Sequence, residues 1–134
     1  MKIYKYNEEK GFLGMIQGIG LDIIEIQRIK QVSHKNERFV YRILTQNERN
    51  VYFELPTERR RLEFLAGRFA AKEAFAKATG QGLGKIGFQQ IEILAEENEA
   101  PQIKVKGYER KQIFISITHS EQYAMAQVII TSIS

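Results

Sequence analysis

The strongest constraint on the fold is a long run of helix-forming residues in the middle of the chain. Residues 62–78 read LEFLAGRFAAKEAFAKA, and Pro56-Thr57-Glu58 before this run has the composition of a helix start. Thr79-Gly80 has the composition of a helix end. The sequence therefore predicts one long helix, on which the remaining elements must be arranged.

Strand-like segments lie on both sides of this helix. Before it, residues 15–24 are apolar and β-branched with two glycines, which predicts a buried strand. After it, strand composition or period-two alternation is found at residues 88–94, 103–105, 113–118 and 124–130. Glu121-Gln122 separates the last two segments and predicts a hairpin. Helices followed by antiparallel strands indicate an α+β fold with helices packed on an antiparallel sheet.

The size and composition of the chain indicate one globular domain. Among its 134 residues we expect a single domain over residues 15–134, preceded by an extension of uncertain status over residues 1–14. The absence of cysteine excludes thiolate nucleophiles and zinc fingers and fits a reducing cytosol. No apolar run approaches the roughly 20 residues that span a bilayer, and the N-terminus is charged where a signal peptide is apolar. We therefore expect a cytoplasmic protein without a membrane association.

Residues 26–49 predict one or two helices, and they carry much of the positive charge. Thr45 is followed three positions later by Glu48, the pattern of a capping box. The basic side chains of this region are Arg28, Lys30, Lys35, Arg38 and Arg42. With a formal net charge of +4, this region is either a solvated face or a docking surface for an acidic partner. Nucleic acid recognition favours more interleaved aromatic residues, so an acidic protein is at least as well supported.

Two acidic residues are candidates for chemistry. Asp22 follows Gly18-Ile19-Gly20-Leu21 at the end of the predicted strand. It is either the N-cap of the next helix or an oxygen ligand for Mg²⁺. Glu73 shares a stripe of the long helix with Lys77 and with alanines at positions 66 and 70. The Glu73–Lys77 spacing is either an i,i+4 ion pair on a solvated face or part of a site that another element covers.

His119-Ser120 ends a predicted strand, from which side chains can reach a cleft. The chain has two histidines, His34 and His119, and the absence of a histidine pair in the sequence argues against a metal site built from imidazoles. A lone histidine is more often structural than catalytic. A triad of Ser120, His119 and Asp22 is disfavoured, because adjacent residues rarely face one another and the chain lacks a nucleophile elbow.

Residues 80–85, GQGLGK, form a glycine-rich loop after the long helix. Its backbone N–H groups and Lys85 suit a phosphate. It is not a Walker loop, because it follows its helix and Ile86 stands where that motif has Ser or Thr. Gly80 is equally well explained as a helix C-cap.

Three stretches together resemble the holo-[acyl carrier protein] synthases, the small bacterial type of 4′-phosphopantetheinyl transferase. They are GIGLDIIEIQRI at 18–29, EFLAGRFAAKEAFAKA at 63–78, and ISITHS at 115–120 with Tyr123-Ala124 after it. Their order and separation also agree with the family. The resemblance runs from Met15 essentially to the C-terminus.

This resemblance implies an enzyme of fatty acid biosynthesis that moves the phosphopantetheine arm of coenzyme A onto a serine of an acidic acyl carrier protein. Asp22 and Glu73 would hold Mg²⁺ against the diphosphate of coenzyme A, and Lys77 would contact phosphate as a further catalytic residue. The coenzyme A pocket would also include Arg68, Gly82, Gly84, His119 and Ser120. Carrier docking would use Arg28, Arg38 and Arg42. Similar chains of this length form homotrimers with active sites between subunits.

Two features depart from the family pattern. Its usual Asn-Gly-Lys-Pro turn reads Asn98-Glu99-Ala100-Pro101 here, which removes a lysine near the expected pocket rim. Residues 1–14 have no counterpart. Two other classes of function stay open: a non-catalytic module that binds an acidic protein or nucleic acid, and a different phosphotransfer enzyme of the same fold.

Overall fold

A computed structural model describes residues 6–7, 11–12, 15–84, 86–96 and 99–132. Lys85, Asn98 and most of the 1–14 extension lie outside the described residues. The elements, in chain order, are β1 (Tyr6–Asn7), β2 (Gly11–Phe12), β3 (Ile16–Glu25), α1 (Ile26–Lys35), α2 (Arg38–Ile43), α3 (Gln46–Glu54), α4 (Glu58–Thr79), a 3-10 turn (Phe88–Gln90), β4 (Ile91–Leu94), β5 (Gln102–Val105), β6 (Lys111–His119) and β7 (Tyr123–Ser132).

The long helix predicted from the sequence is α4, and both of its ends are confirmed. The Thr57 side chain accepts a hydrogen bond from the main-chain N–H of Arg60, which caps the first turn. Gly80 ends the helix in the left-handed region, with φ of 74°. Within the described residues, no helix combines the length and the apolar character that crossing a membrane requires.

Three strands form the main sheet, in the order β3-β7-β6, and every pairing is antiparallel. Strands β4 and β5 form a separate antiparallel pair, as do β1 and β2. The α+β prediction and the hairpin at Glu121-Gln122 are confirmed. The strand predicted over residues 88–94 is wrong in its first half, because Phe88–Gln90 is a 3-10 turn. The Gln90 side chain accepts the N–H of Gly87 and so closes that turn.

The region predicted as one or two helices contains three, and the last continues beyond residue 49 to Glu54. Helix α1 stops at Asn36, whose backbone is extended and whose side chain accepts the N–H of Arg38 at the start of α2. Helix α3 begins with the predicted capping box, in which Thr45 and Glu48 satisfy each other's main-chain N–H groups.

Two clusters of buried residues flank α4. One lies between α4 and the strands and includes Ala70, Ala74 and Phe75 with Val128 and Ile130. The other joins α4 to α1 and α2. Most residues of α4 between Leu62 and Ala78 are buried. This helix is therefore the central element of the molecule and contacts both clusters.

Candidate active site

The contact between β3 and α4 is unusually close, and glycine makes it possible. A Cβ on Gly20 would lie 1.7 Å from the carbonyl oxygen of Ala74, and one on Gly18 would lie 1.9 Å from that of Ala78. Side chains alternate along a strand, so Asp22 is the next residue on the face that meets α4. The glycines of the Gly-Ile-Gly-Leu-Asp segment therefore bring the Asp22 carboxylate against the helix.

Asp22 forms an ion pair with Lys77. Its Oδ1 accepts a hydrogen bond from the Lys77 Nζ at 2.9 Å, and the same ammonium donates to the carbonyl oxygen of Leu21 at 3.1 Å. The Asp22 side chain is 14% exposed, whereas that of Lys77 is 54% exposed. The N-cap alternative for Asp22 is wrong, because β3 continues to Glu25 and that residue precedes α1. The ion pair of Lys77 crosses between two elements instead of staying within one helix.

Glu73 lies one turn before Lys77 on α4 and is half-buried. Burial raises the pKa of Glu73, the negative charge of Asp22 raises it further, and Lys77 opposes both effects. The influence of Asp22 means that the two carboxylates lie near enough to repel each other. The structure thus brings Asp22, Glu73 and Lys77 together from β3 and α4.

The donor set at this position fits a hard divalent cation. Carboxylate oxygens are preferred by Mg²⁺, which commonly takes one or two of them and completes its shell with water and substrate phosphate. Across the described ranges, no cluster of three or more His, Cys, Asp or Glu side chains is arranged for a metal. Asp22 and Glu73 offer two carboxylates at this position, and Asp22 is paired with the Lys77 ammonium.

A groove of about 630 Å³ opens beside Glu73. Its lining combines Glu73 with Arg42 from α2 and Gly84 from the glycine-rich loop, three residues that the sequence assigned to different roles. Other lining residues are Phe39, Ile43, Phe69, Leu83, Gly87, Phe88 and Gln89. The Phe69 ring centroid lies 6.1 Å from that of Phe39 and 5.8 Å from that of Phe88. The sequence did not single out these aromatic residues, because their convergence from α2, α4 and the 3-10 turn is a tertiary feature.

Arg68 and Gly82 occupy distinct surroundings. The Arg68 Nε donates to the carbonyl oxygen of Ile93 at 3.3 Å, and its guanidinium carbon lies 4.1 Å from the centroid of the Phe64 ring. Burial lowers the pKa of Arg68 to about 10, against an opposing effect of Glu48. Gly82 has φ of 72° and so requires glycine in the loop that leads to Gly84.

His119 and Ser120 lie near the other end of α4. The His119 Nδ1 is 3.1 Å from the Glu63 Oε2. The Ser120 Oγ accepts the main-chain N–H of Tyr123 at 3.1 Å and shapes the hairpin turn. Glu63 and Glu73 are ten positions apart on α4, a separation of about 15 Å along the axis. Within one chain, His119-Ser120 and the Asp22–Glu73 pair are therefore not brought together.

The three predicted docking residues are all exposed: Arg28 lies on α1, and Arg38 and Arg42 lie on α2. Arg42 also lines the groove beside Glu73. The basic surface and the acidic site are consequently continuous through Arg42.

A buried ion pair that the sequence did not predict lies beneath the groove. The Lys72 Nζ donates to the Glu48 Oε1 at 2.6 Å and to the carbonyl oxygens of Ile43 at 2.7 Å and Phe88 at 3.1 Å. Burial lowers the pKa of Lys72, and Glu48 counteracts this effect. The capping box identified Glu48, but its pairing with a lysine 24 residues away has no local signal.

Comparison with known proteins identifies the class that this fold and site define. Residues 18–129 match the profile of the 4′-phosphopantetheinyl transferase superfamily, and the chain belongs to that family. Among its relatives are holo-[acyl-carrier-protein] synthases. That of Oceanobacillus iheyensis is 51% identical over 116 residues, which cover 87% of this chain and 97% of the relative. That of Bacillus subtilis is 50% identical over 121 residues, which cover 90% and 99%.

Solved structures of such synthases share the fold. The Bacillus anthracis synthase, in complex with CoA (3′,5′-ADP), superimposes with a TM-score of 0.80 at 45% identity, covering 88% of this chain and 98% of that one. The Helicobacter pylori synthase, in complex with coenzyme A, gives a TM-score of 0.72 at 31% identity, with 84% and 98% covered. The resemblance seen in the sequence is confirmed over most of the chain.

Proposed function

We propose that this chain transfers the 4′-phosphopantetheine arm of coenzyme A to a serine of apo acyl carrier protein. The observation that carries the proposal is the meeting of Asp22, Glu73 and Lys77 at the β3–α4 contact, beside a groove that Arg42 and Gly84 also line. Family membership over residues 18–129 supports the same reaction. The products are holo carrier protein and 3′,5′-ADP, and the pathway served is fatty acid biosynthesis in the cytoplasm.

The reaction is a phosphoryl transfer, in which positioning and charge neutralisation provide most of the catalysis. The serine oxygen forms a bond to the phosphorus that bears the pantetheine arm, the bond from that phosphorus to 3′,5′-ADP breaks, and the serine proton passes to a base. Mg²⁺ held by Asp22 and Glu73 would supply positive charge to the phosphate oxygens. Lys77 is half-exposed and makes its ion pair at the edge of the site, so its ammonium can exchange Asp22 for a phosphate oxygen.

The coenzyme A pocket, in this proposal, includes Arg68, Gly82 and Gly84, with His119 and Ser120 from another copy of the chain. The last two lie about 15 Å along α4 from Glu73 in the same chain. A neighbouring subunit that presents its own β6–β7 turn would place them at the site. The proposed homotrimer thus completes the pocket.

An apolar sheet face supports this assembly. On β3, the side chains that point away from α4 are 57% exposed at Ile19, 54% at Leu21 and 53% at Ile23. In the sheet register Ile23 pairs with Met125, which is also exposed. Contiguous exposed apolar residues on a sheet mark a protein interface. A second and third copy of residues 15–134, folded as one domain, are the proposed occupants.

The proposed docking surface for the acidic carrier protein consists of Arg28, Arg38 and Arg42. All three are exposed, and Arg42 also lines the groove beside Glu73. Charge reversal at Arg28 is expected to weaken carrier binding more than coenzyme A binding, because complementary charges contribute to partner association. Equal losses for both substrates would contradict this role.

The test of the proposal is a transfer assay with coenzyme A, apo carrier protein and Mg²⁺. We expect a gain in carrier mass by one phosphopantetheine and release of 3′,5′-ADP, and we expect neither product with Asp22→Ala or Glu73→Ala. Omission of Mg²⁺ should also abolish turnover. A chain that binds the carrier but never modifies it would instead be a binding module.

A further inference from the structure

We propose that Glu63 and Arg59 are positioning residues, which hold the His119 ring so that its Nε2 faces a phosphate group of the substrate nucleotide. This inference rests on the proposed function. The Oε2 of Glu63 lies 3.1 Å from the Nδ1 of His119. The same oxygen accepts a hydrogen bond from the Nε of Arg59 at 3.3 Å. Because the two nitrogens of imidazole lie on different sides of the ring, fixing Nδ1 against α4 directs Nε2 away from the helix.

Arg59 fixes the backbone that carries the histidine as well. Its Nη2 donates to the carbonyl oxygens of Ser120 at 3.2 Å and Glu121 at 2.5 Å. One guanidinium therefore binds the carboxylate that contacts the ring and two carbonyls of the β6–β7 turn. Planar, multidentate donation of this kind is specific to arginine and restrains both partners. The ring and the turn are thus tied to the first turns of α4 as one unit.

The burial of the carboxylate supports a positioning role. The Glu63 side chain is 21% exposed, while that of His119 is 49% exposed. The carboxylate is thus largely covered by the protein, and the ring that it holds is open to solvent. A carboxylate behind a functional histidine commonly sets the orientation of the ring and which nitrogen carries the proton. An open Nε2, held by a covered acid, suits recognition of an anionic oxygen.

The chain provides a matched control in its other histidine. The His34 Nε2 contacts the Glu58 Oε1 at 2.9 Å, also between α4 and a neighbouring element, but these side chains are 60% and 52% exposed. Both pairs thus join a histidine to the first turns of α4. We place only the His119 pair at the substrate.

The experiment is a double-mutant cycle in which binding of 3′,5′-ADP with Mg²⁺ is measured by calorimetry. We expect His119→Ala to raise the Kd roughly tenfold, as loss of a hydrogen bond to a charged group does, and Glu63→Ala to raise it several-fold. In the His119→Ala background, Glu63→Ala should change the Kd by less than twofold, because its effect passes through the ring. Glu58→Ala should leave the Kd unchanged.

The inference would be overturned if the factors by which Glu63→Ala and His119→Ala raise the Kd multiply in the double variant. An unchanged Kd in Glu63→Ala alone would overturn it as well. If Glu63→Ala does not fold, the isosteric Glu63→Gln takes its place in the same cycle, and thermal melting verifies the fold of each variant. Failure of the unaltered chain to bind 3′,5′-ADP would contradict the proposed function itself. Normal binding with independent losses would contradict only the positioning role.

Discussion

Replacement of Lys72 by methionine should destabilise the protein strongly, because Lys72 neutralises a buried carboxylate. The Lys72 and Glu48 side chains are 0% exposed and lie 2.6 Å apart. The Lys72 ammonium also donates hydrogen bonds to the carbonyl oxygens of Ile43 and Phe88. In Lys72→Met, the carboxylate keeps its two main-chain N–H donors but loses its counter-charge inside the protein.

The expected cost follows from this geometry. Breaking a fully buried ion pair by removing one partner costs about 3–5 kcal/mol, since an uncompensated charge is left in the interior. Globular proteins have an unfolding free energy of only about 5–15 kcal/mol. For a chain of this length, each kcal/mol corresponds to about 3.5 °C, so the melting temperature should fall by about 10–18 °C.

Urea unfolding at a fixed protein concentration measures this effect, and the concentration must be constant because the proposed assembly would also stabilise the fold. Lys72→Met with Glu48→Gln should be at least about 1 kcal/mol more stable than Lys72→Met alone, since the buried charge is gone. His34→Ala is the control for an exposed pair and should cost less than about 0.5 kcal/mol. A loss below about 1 kcal/mol in Lys72→Met, or a double variant no more stable than the single one, would refute the reasoning.

Three further predictions concern the site and the sheet. Asp22→Asn should lower the pKa of Glu73, because the charge of Asp22 is the second cause of its elevation; carboxyl NMR titration should record the shift. Gly20→Ala should unfold the protein or lower its unfolding free energy by more than about 3 kcal/mol, because the added Cβ would meet the backbone of α4. Gly84→Ala is the control: its Cβ would enter open space, and its melting temperature should be nearly unchanged. Leu21→Glu should give a monomer with little transfer activity, visible by light scattering, because it charges the apolar sheet face.

Elements with local signals were predictable from the sequence. Helix α4 has helix formers throughout, a threonine N-cap and a glycine C-cap, and its bounds agree with the structure. Strands β6 and β7 alternate regularly around a hairpin. The break at Asn36 was missed, because it depends on one extended residue whose side chain starts the next helix. The 3-10 turn at Phe88–Gln90 was also missed, since one side-chain hydrogen bond closes it.

The candidate site was predictable to the extent that its residues lie on patterned elements. Asp22 was exceptional in an apolar strand, and Glu73 and Lys77 share one helix face. Contacts between distant segments have no such pattern. Neither the pairing of Lys72 with Glu48 nor that of Glu63 with His119 has a local signal, because each depends on how separate elements pack.

The close packing of β3 on α4 also explains why ionisation of Glu73 is disfavoured in the folded chain. It half-buries Glu73 beside Asp22, so the folded pKa of Glu73 lies above its unfolded value. The stability that a carboxyl group with a raised folded pKa contributes to the protein is fully present below its unfolded pKa, and it is lost as pH rises through the folded pKa.

Near neutral pH, the ionised Glu73 therefore opposes folding. Replacement of this residue in Glu73→Gln should raise the melting temperature at pH 7 but not at pH 4. Mg²⁺ should stabilise the unaltered chain at pH 7 and have a smaller effect on Glu73→Gln, because it binds the folded state through the charge that the variant lacks. Equal stabilisation of both proteins would show that Glu73 does not bind the ion.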